Sequence, residues 1–189
     1  IIYLYLKNRK RAPVPAGRFE QLPKVTVQLP IFNEVYVAER LLRSVSELDY
    51  PQHLLQIQVL DDSTDDTREI VSSCADKLRQ RGFNVQCLHR VARTGFKAGA
   101  LAAGLEAADG EFLCILDADF VPQPDLLKRT IHFFTDPKIG MIQTRWGHLN
   151  RGYSLLTRMQ AIFLDGHLLL EQTARSRSGR FFNFNGTAG

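Results

Sequence analysis

From Val25 onward, short apolar runs alternate with longer amphipathic ones. Val25–Ile31 is rich in β-branched residues and ends in a Pro–Asn turn, which predicts a strand. Val37 to Leu48 places Leu41, Leu42, Val45 and Leu48 at helical spacing. Gln56 to Leu60 predicts a second strand. It runs into Asp61-Asp62-Ser63-Thr64-Asp65, a cluster suited to cap a helix starting near Asp66. A third strand is expected over Asn84 to Leu88. Arg93-Thr94-Gly95-Phe96-Lys97-Ala98-Gly99 then opens an Ala/Leu-rich helix ending near Asp109-Gly110. A fourth strand, Phe112 to Leu116, stops at Asp117-Ala118-Asp119. Beyond it the pattern predicts a helix around Asp125 to Phe134, a fifth strand near Ile139 to Thr144, and a long amphipathic helix from about Ser154 to Arg175.

Strands alternating with helices predict an α/β fold with an open, mainly parallel sheet and flanking helices. Such sheets bind ligands beyond the carboxyl ends of their strands. Asn33-Glu34, Asp61-Asp62 and Asp117-Ala118-Asp119 each follow a strand, so acidic groups are expected to gather at one sheet edge. Carboxylates converging there repel one another, and a divalent cation is the usual remedy.

The ends of the chain read differently. Ile1-Ile2-Tyr3-Leu4-Tyr5-Leu6 is followed by Lys7-Asn8-Arg9-Lys10-Arg11. An apolar run this short cannot span a bilayer, which needs about 20 residues, and it lacks the flanks of a signal peptide. Residues 1–11 are expected to be the end of a transmembrane helix plus a basic juxtamembrane cluster, which marks the cytoplasmic side; an ordinary buried segment beside a solvated charge run is the alternative. Pro13, Pro15 and Gly17 make 12–23 a linker, leaving 24–189 as the globular part. Because the chain also stops abruptly on Phe184-Asn185-Gly186-Thr187-Ala188-Gly189, it is expected to be a piece of a longer protein.

Composition narrows the class. The 189 residues are 44% apolar and 23% charged with a formal net charge of +4, which suits one globular domain and excludes a disordered tail or a collagen-like repeat. Cys74, Cys87 and Cys114 form neither a C-x-x-C pair nor a metal-ligand spacing, so a disulfide scaffold is excluded and a reducing compartment fits. The mild, dispersed positive charge does not indicate nucleic acid.

Three clusters carry candidate chemistry. In extended chain, Asp117 and Asp119 point to the same side and could share one Mg2+ or Mn2+, together with nucleotide phosphates; a strand-end turn is the alternative. Asp61 and Asp62 exceed what a helix cap needs, so one could accept a hydrogen bond from a base N–H. Lys97, between Gly95 and Gly99 at a helix entry, could neutralise a diphosphate, with Arg93 beside it; a glycine-rich turn next to a surface lysine explains it equally well locally. No Walker A loop and no G-x-S-x-G element occurs.

Taken in order and spacing, Val25 to Glu34, Leu60 to Asp65, Gly95 to Leu101 and Asp117-Ala118-Asp119 resemble family 2 glycosyltransferases, and within them the processive cellulose synthase and mannan synthase group. Gln143-Thr144-Arg145-Trp146, Thr157-Arg158-Met159-Gln160 and Phe184 to Gly189 point to the cellulose-synthase-like A branch. The resemblance implies a GT-A (Rossmann-like) fold, incomplete at the C-terminus, on the cytosolic side of a membrane, using a nucleotide-sugar donor and Mg2+ or Mn2+. It places Pro30, Asn33 and Glu34 in the nucleotide pocket, Asp61 or Asp62 at the base and Lys97 at the ribose–diphosphate. Asp117 and Asp119 match the metal and diphosphate pair, and Phe184, Asn185, Gly186 and Thr187 lie near the acceptor sugar.

The resemblance implies a membrane-associated inverting transferase that extends a β-linked polysaccharide from GDP-mannose or UDP-glucose. Its catalytic base, an Asp, is expected beyond Gly189, as is the Q-x-x-R-W motif; Gln143-Thr144-Arg145-Trp146 is one residue too short and too early, and reads as a decoy. Transfer of one sugar to a lipid-linked acceptor, or non-catalytic nucleotide-sugar binding, are the competing readings. G-x-G-x-x-G is absent after the first strand, against a dinucleotide dehydrogenase. The isolated chain is expected to show no turnover in a sugar-transfer assay; measurable transfer would place the base within it.

Overall fold

The computed structural model describes residues 1–189. A four-stranded parallel sheet has the order β3-β2-β1-β4, with β1 Val25–Ile31, β2 Leu55–Asp61, β3 Asn84–His89 and β4 Phe112–Ile115. Between them run α2 Ala38–Ser46, α3 Thr67–Gln80 and α4 Phe96–Glu106; α1 Ile2–Asn8 precedes the sheet, and α5 Leu126–Thr130, α6 Leu155–Asp165 and α7 Thr173–Arg177 follow it.

Period-two alternation gives the sheet two unlike faces. Val25, Val27, Leu29 and Ile31 of β1 and Leu55, Ile57 and Val59 of β2 face one side, where Leu41, Leu42 and Val45 of α2 and Val71, Ala75 and Leu78 of α3 complete the aliphatic core. On the other side, the in-register residues over the first part of β1, β2 and β3 are polar. Thr26 Oγ1 donates to Gln56 Oε1 at 2.6 Å, Gln28 Nε2 to Gln58 Oε1 at 3.0 Å, and Gln58 Nε2 to Gln86 Oε1 at 3.1 Å. This buried side-chain ladder crosses β1, β2 and β3 beneath α4, whose Gly104 approaches Gln28 and Leu60. The turn after α4 docks on it through Asp109 N–H to Gln56 Oε1 and Gly110 N–H to Thr26 Oγ1, both 2.9 Å. The helix stops at Glu106: Ala107 and Ala108 N–H turn to the carbonyls three residues back, and the donors after them, Asp109 and Gly110 N–H, are taken by the sheet.

Three predicted elements differ in detail. Ile139 to Thr144 forms no strand; its sheet-like contact is confined to Thr144, whose N–H donates to Ala188 O at 2.9 Å, while Ala188 N–H donates to Ile115 O of β4 at 2.7 Å. Residues 188–189 thus lie between β4 and Thr144. The helix expected over Asp125 to Phe134 divides into α5 and a 3-10 turn, Ile131–Thr135. The long helix expected from Ser154 does start there, with a reciprocal Ser154–Thr157 capping box, but Gly166–Gln172 between α6 and α7 is π-helical.

Residues 12–23 contain no helix or strand, yet part of this segment docks: Phe19 N–H donates to His132 Nδ1 at 3.2 Å and its ring meets Phe112 edge-on. No helix is long and apolar enough to cross a membrane. The three cysteines are free thiols.

Gln28→Leu removes the only donor to Gln58 Oε1 and leaves a buried carbonyl unpaired. The variant is expected to lose about 1–3 kcal/mol of stability in urea denaturation; an unchanged midpoint would show the ladder to be dispensable.

Candidate functional site

The acidic clusters do converge, because parallel strands end on one edge. β1 leads into Asn33, whose φ of +55° lets its side chain turn toward the β2 exit: Asn33 Oδ1 accepts Thr64 N–H at 2.9 Å, and Asn33 N–H donates to Ser63 Oγ at 3.0 Å. Asn33 therefore ties two strand exits together. Pro30 sits one residue before the end of β1, half-buried.

Asp61 and Asp62 are both buried and both already partnered. Asp61 Oδ1 accepts Ser63 N–H at 2.9 Å and Asp61 Oδ2 lies 3.2 Å from His89 Nδ1. Asp62 is held in a two-pronged pair, accepting from Arg90 Nε at 2.8 Å and Arg90 Nη2 at 2.6 Å. Hydrogen bonding to Asp62 raises the Arg90 guanidinium above its ordinary value. Arg90 also donates to Thr94 O and Phe96 O, both at 3.0 Å, and so fixes the turn that opens α4. His89 and Arg90 escaped the sequence reading. The available signal was their place at the end of β3, which adjoins β2 and so falls beside Asp61-Asp62. Asp66 occupies the N-cap position of α3 without a side-chain bond, and Asp65 supplies one instead, its Oδ1 accepting Thr67 N–H at 3.0 Å.

The turn into α4 depends on glycine twice. Gly95 has φ +73°, and a Cβ on Gly99 would collide with Thr94 O and crowd Arg90 Nη1. Arg93 stays in this turn, its guanidinium carbon 3.5 Å from the centre of the Phe32 ring and 5.1 Å from that of Phe96. Lys97, by contrast, reaches across to β4: its ammonium pairs with Asp117 Oδ1 and donates to Gly186 O at 2.7 Å. Asp117 N–H donates to Thr187 Oγ1 at 2.9 Å. Lys97, Asp117, Gly186 and Thr187 thus form one cluster linking residues far apart in sequence.

Asp119 is exposed, and only its backbone carbonyl is engaged, by Arg40 Nη2 at 3.2 Å. Beside it opens a cavity of about 750 Å³ lined by Arg40, Phe120, Thr144, Trp146 and His148 among others. Glu34 shares the negative field: burial first, then the charges of Asp119, Asp117 and Asp65, push its carboxyl above the ordinary 4.5. Side-chain cations therefore offset Asp62 and Asp117, Asp61 is held by hydrogen bonds, and the repulsion expected at the edge persists at Glu34 and Asp119. No group of three or more His, Cys, Asp or Glu side chains is arranged to enclose a metal ion. The surplus negative charge and the unpartnered Asp119 carboxylate nevertheless fit a hard divalent cation, which takes oxygen ligands and retains water.

The sequence profile of Glycosyl transferase family 2 matches residues 26–186. The chain belongs to this family. Glucomannan 4-beta-mannosyltransferase 7 of Arabidopsis thaliana is 37% identical over 205 residues, covering 100% of this chain and 37% of the relative. Probable glucomannan 4-beta-mannosyltransferase 7 of Oryza sativa subsp. japonica is 42% identical over 178 residues, covering 92% of this chain and 30% of its own length. The chain therefore spans about a third of these curated relatives. Among solved structures, the mannosyltransferase PcManGT from Pyrobaculum calidifontis in complex with GDP-Man and Mn2+ superposes with a TM-score of 0.65 at 30% identity, over 76% of this chain and 43% of that one. The parallel sheet with flanking helices is accordingly a GT-A fold, as the resemblance implied.

Within this glycosyl transferase family 2 domain, the residues expected at the donor occupy a single edge, and the expected acceptor-proximal segment reaches them through Gly186 and Thr187. Because the folded state holds the Glu34 proton more tightly than the unfolded chain, Glu34 favours folding below pH 4.5 and loses that contribution as pH rises through its raised value. Glu34→Gln is expected to be more stable than the wild type at pH 7, with the difference vanishing near pH 4. Denaturant midpoints at the two pH values test this, and a wild type more stable at pH 7 would refute it.

Proposed function

We propose that this chain is the donor half of a membrane-associated, inverting mannosyltransferase that extends a β-linked polysaccharide from GDP-mannose. The observation that carries the reading is the Lys97–Asp117–Gly186–Thr187 cluster beside the open Asp119, on a chain whose relatives are glucomannan mannosyltransferases. GDP-mannose is favoured over UDP-glucose by the names of those relatives and by the GDP-Man complex of PcManGT.

The residues have distinct tasks. Lys97 exchanges its Asp117 partner for the leaving diphosphate and offsets the charge developing there. Asp117 and Asp119 would hold a divalent cation, which would supply positive charge to offset that of the diphosphate. Pro30, Asn33 and Glu34 border the nucleotide. Asp61 and Asp62 present the rim of the base site, and Arg90 holds Asp62 in place. Phe184 to Thr187 bring the acceptor end of the polymer against the donor. The base that accepts the acceptor hydroxyl proton lies outside this chain.

Membrane association is supported by surface chemistry. On α6, Leu155, Leu156, Ile162 and Phe163 are exposed along one face; on α1, Ile2, Tyr3 and Leu6 are exposed beside Lys7, Arg9, Lys10 and Arg11. α1 packs on α7 and the π-helical turn, so both sets belong to one helical unit. Apolar side chains beside basic ones suit a bilayer surface bearing anionic lipid, and the basic cluster supports the cytoplasmic side as that surface.

Membranes containing the intact protein, supplied with GDP-mannose or UDP-glucose and Mn2+ or Mg2+, are expected to incorporate mannose into polymer only with metal. A single-sugar, lipid-soluble product would favour the lipid-acceptor reading, and binding without incorporation the non-catalytic one. Asp119→Ala is expected to abolish metal-dependent GDP-mannose binding; equal affinity with and without metal in the wild type would refute the assignment.

A further inference from the structure

Gln143 lies in an irregular stretch, yet its side chain makes more links to the chain end than any neighbour. Its Nε2 donates to Thr187 O at 2.9 Å and Ala188 O at 3.2 Å, and its Oε1 accepts Asn185 N–H at 2.9 Å. Thr144 adds its N–H and Oγ1, both donating to Ala188 O, at 2.9 and 2.7 Å. Gly186 and Ala188 have φ of +79° and +58°, so residues 185–188 cannot adopt the extended backbone a regular strand partner requires. A glutamine amide has the size and polarity of a peptide group, with donors and an acceptor together. Gln143 therefore replaces the ladder that this irregular loop cannot make.

The loop so held is the one that presents Gly186 O to Lys97 and Thr187 Oγ1 to Asp117 N–H. From this geometry we infer that Gln143 is a positioning residue for sugar transfer: it fixes residues 185–188 against Lys97 and Asp117, and so sets the acceptor end relative to the donor. This rests on the transferase reading above. The motif that looked like a displaced Q-x-x-R-W thus has its own task, carried by Gln143, whereas Arg145 turns away to pair with Asp165 at 3.1 Å. Displacing an acceptor hydroxyl by an ångström costs rate steeply while leaving donor contacts in place.

The test uses the intact protein with Gln143→Met, which keeps the side chain's length and removes both hydrogen-bonding functions, and Gln143→Glu, which keeps the acceptor for Asn185 and loses the donor. Amide exchange at residues 183–189 and transfer kinetics from GDP-mannose are measured together. In Gln143→Met, exchange at Asn185 is expected to quicken about tenfold. Its kcat is expected to fall at least about tenfold while the GDP-mannose Kd stays within about threefold. Gln143→Glu is expected to keep the Asn185 protection and still lose kcat. Unchanged exchange in Gln143→Met, unchanged kcat in either variant, or a parallel loss of donor binding would each overturn the inference. A wild type that transfers no sugar would overturn the transferase reading, and with it the acceptor role; the exchange result would still decide whether Gln143 holds the loop.

Discussion

Everything at the candidate site depends on how carboxylates brought to one edge of a parallel sheet are compensated. β1, β2 and β4 each lead to acidic residues, and the parallel sheet brings all of them to the same edge. The cations that answer them come from neighbouring exits: Arg90 follows β3 and meets Asp62, while Lys97 enters from α4 and meets Asp117. Asp62 is withdrawn from water, and Arg90 shares the task of offsetting it with Arg93, whose Nε lies 3.9 Å from Asp62 Oδ2. Through Thr94 O and Phe96 O the Arg90 guanidinium shapes the turn that aims Lys97. Neutralisation and positioning are therefore one device.

The opposite constraint operates inside the sheet. An α-helix as rich in alanine and glycine as α4 lies close to the strands and offers little apolar bulk to fill space. Thr26, Gln28, Gln56, Gln58 and Gln86 occupy that interface and satisfy one another across strands. Such a network is favourable only when complete, and here it extends into the Ala107–Gly110 turn, so the sheet also sets where α4 ends and β4 begins.

How far this was legible in the sequence follows from separation along the chain. β1 to β4, and the acidic exits of β1, β2 and β4, could be read because each is local: an apolar run closely followed by its polar cluster. The partners of those clusters could not. His89 lies 28 residues from Asp61, and Gly186 lies 89 from Lys97; only the crossover topology brings them together. The glutamines of the sheet looked like ordinary polar positions, because alternation alone does not say that the polar side is covered. Ile139 to Thr144 misled in the other direction. Its composition suits a strand, but its partner is a loop with positive φ at Gly186 and Ala188, so one side chain, Gln143, makes the contacts a ladder would have made.

The π-helical stretch Gly166–Gln172 changes what the last long helix can be. Its i→i+5 bonds place more residues in each turn than the flanking α-helical segments hold, so side chains beyond Asp165 no longer follow the angular positions set by Leu155 and Phe163. Before the widening, one flank of the rod is greasy and open; within it, His167 and Gln172 turn toward Asn185, at 3.4 and 3.0 Å. A single rod thereby addresses two different surroundings. Asn185 is thus held from two directions, through its side chain by this rod and through its backbone N–H by Gln143.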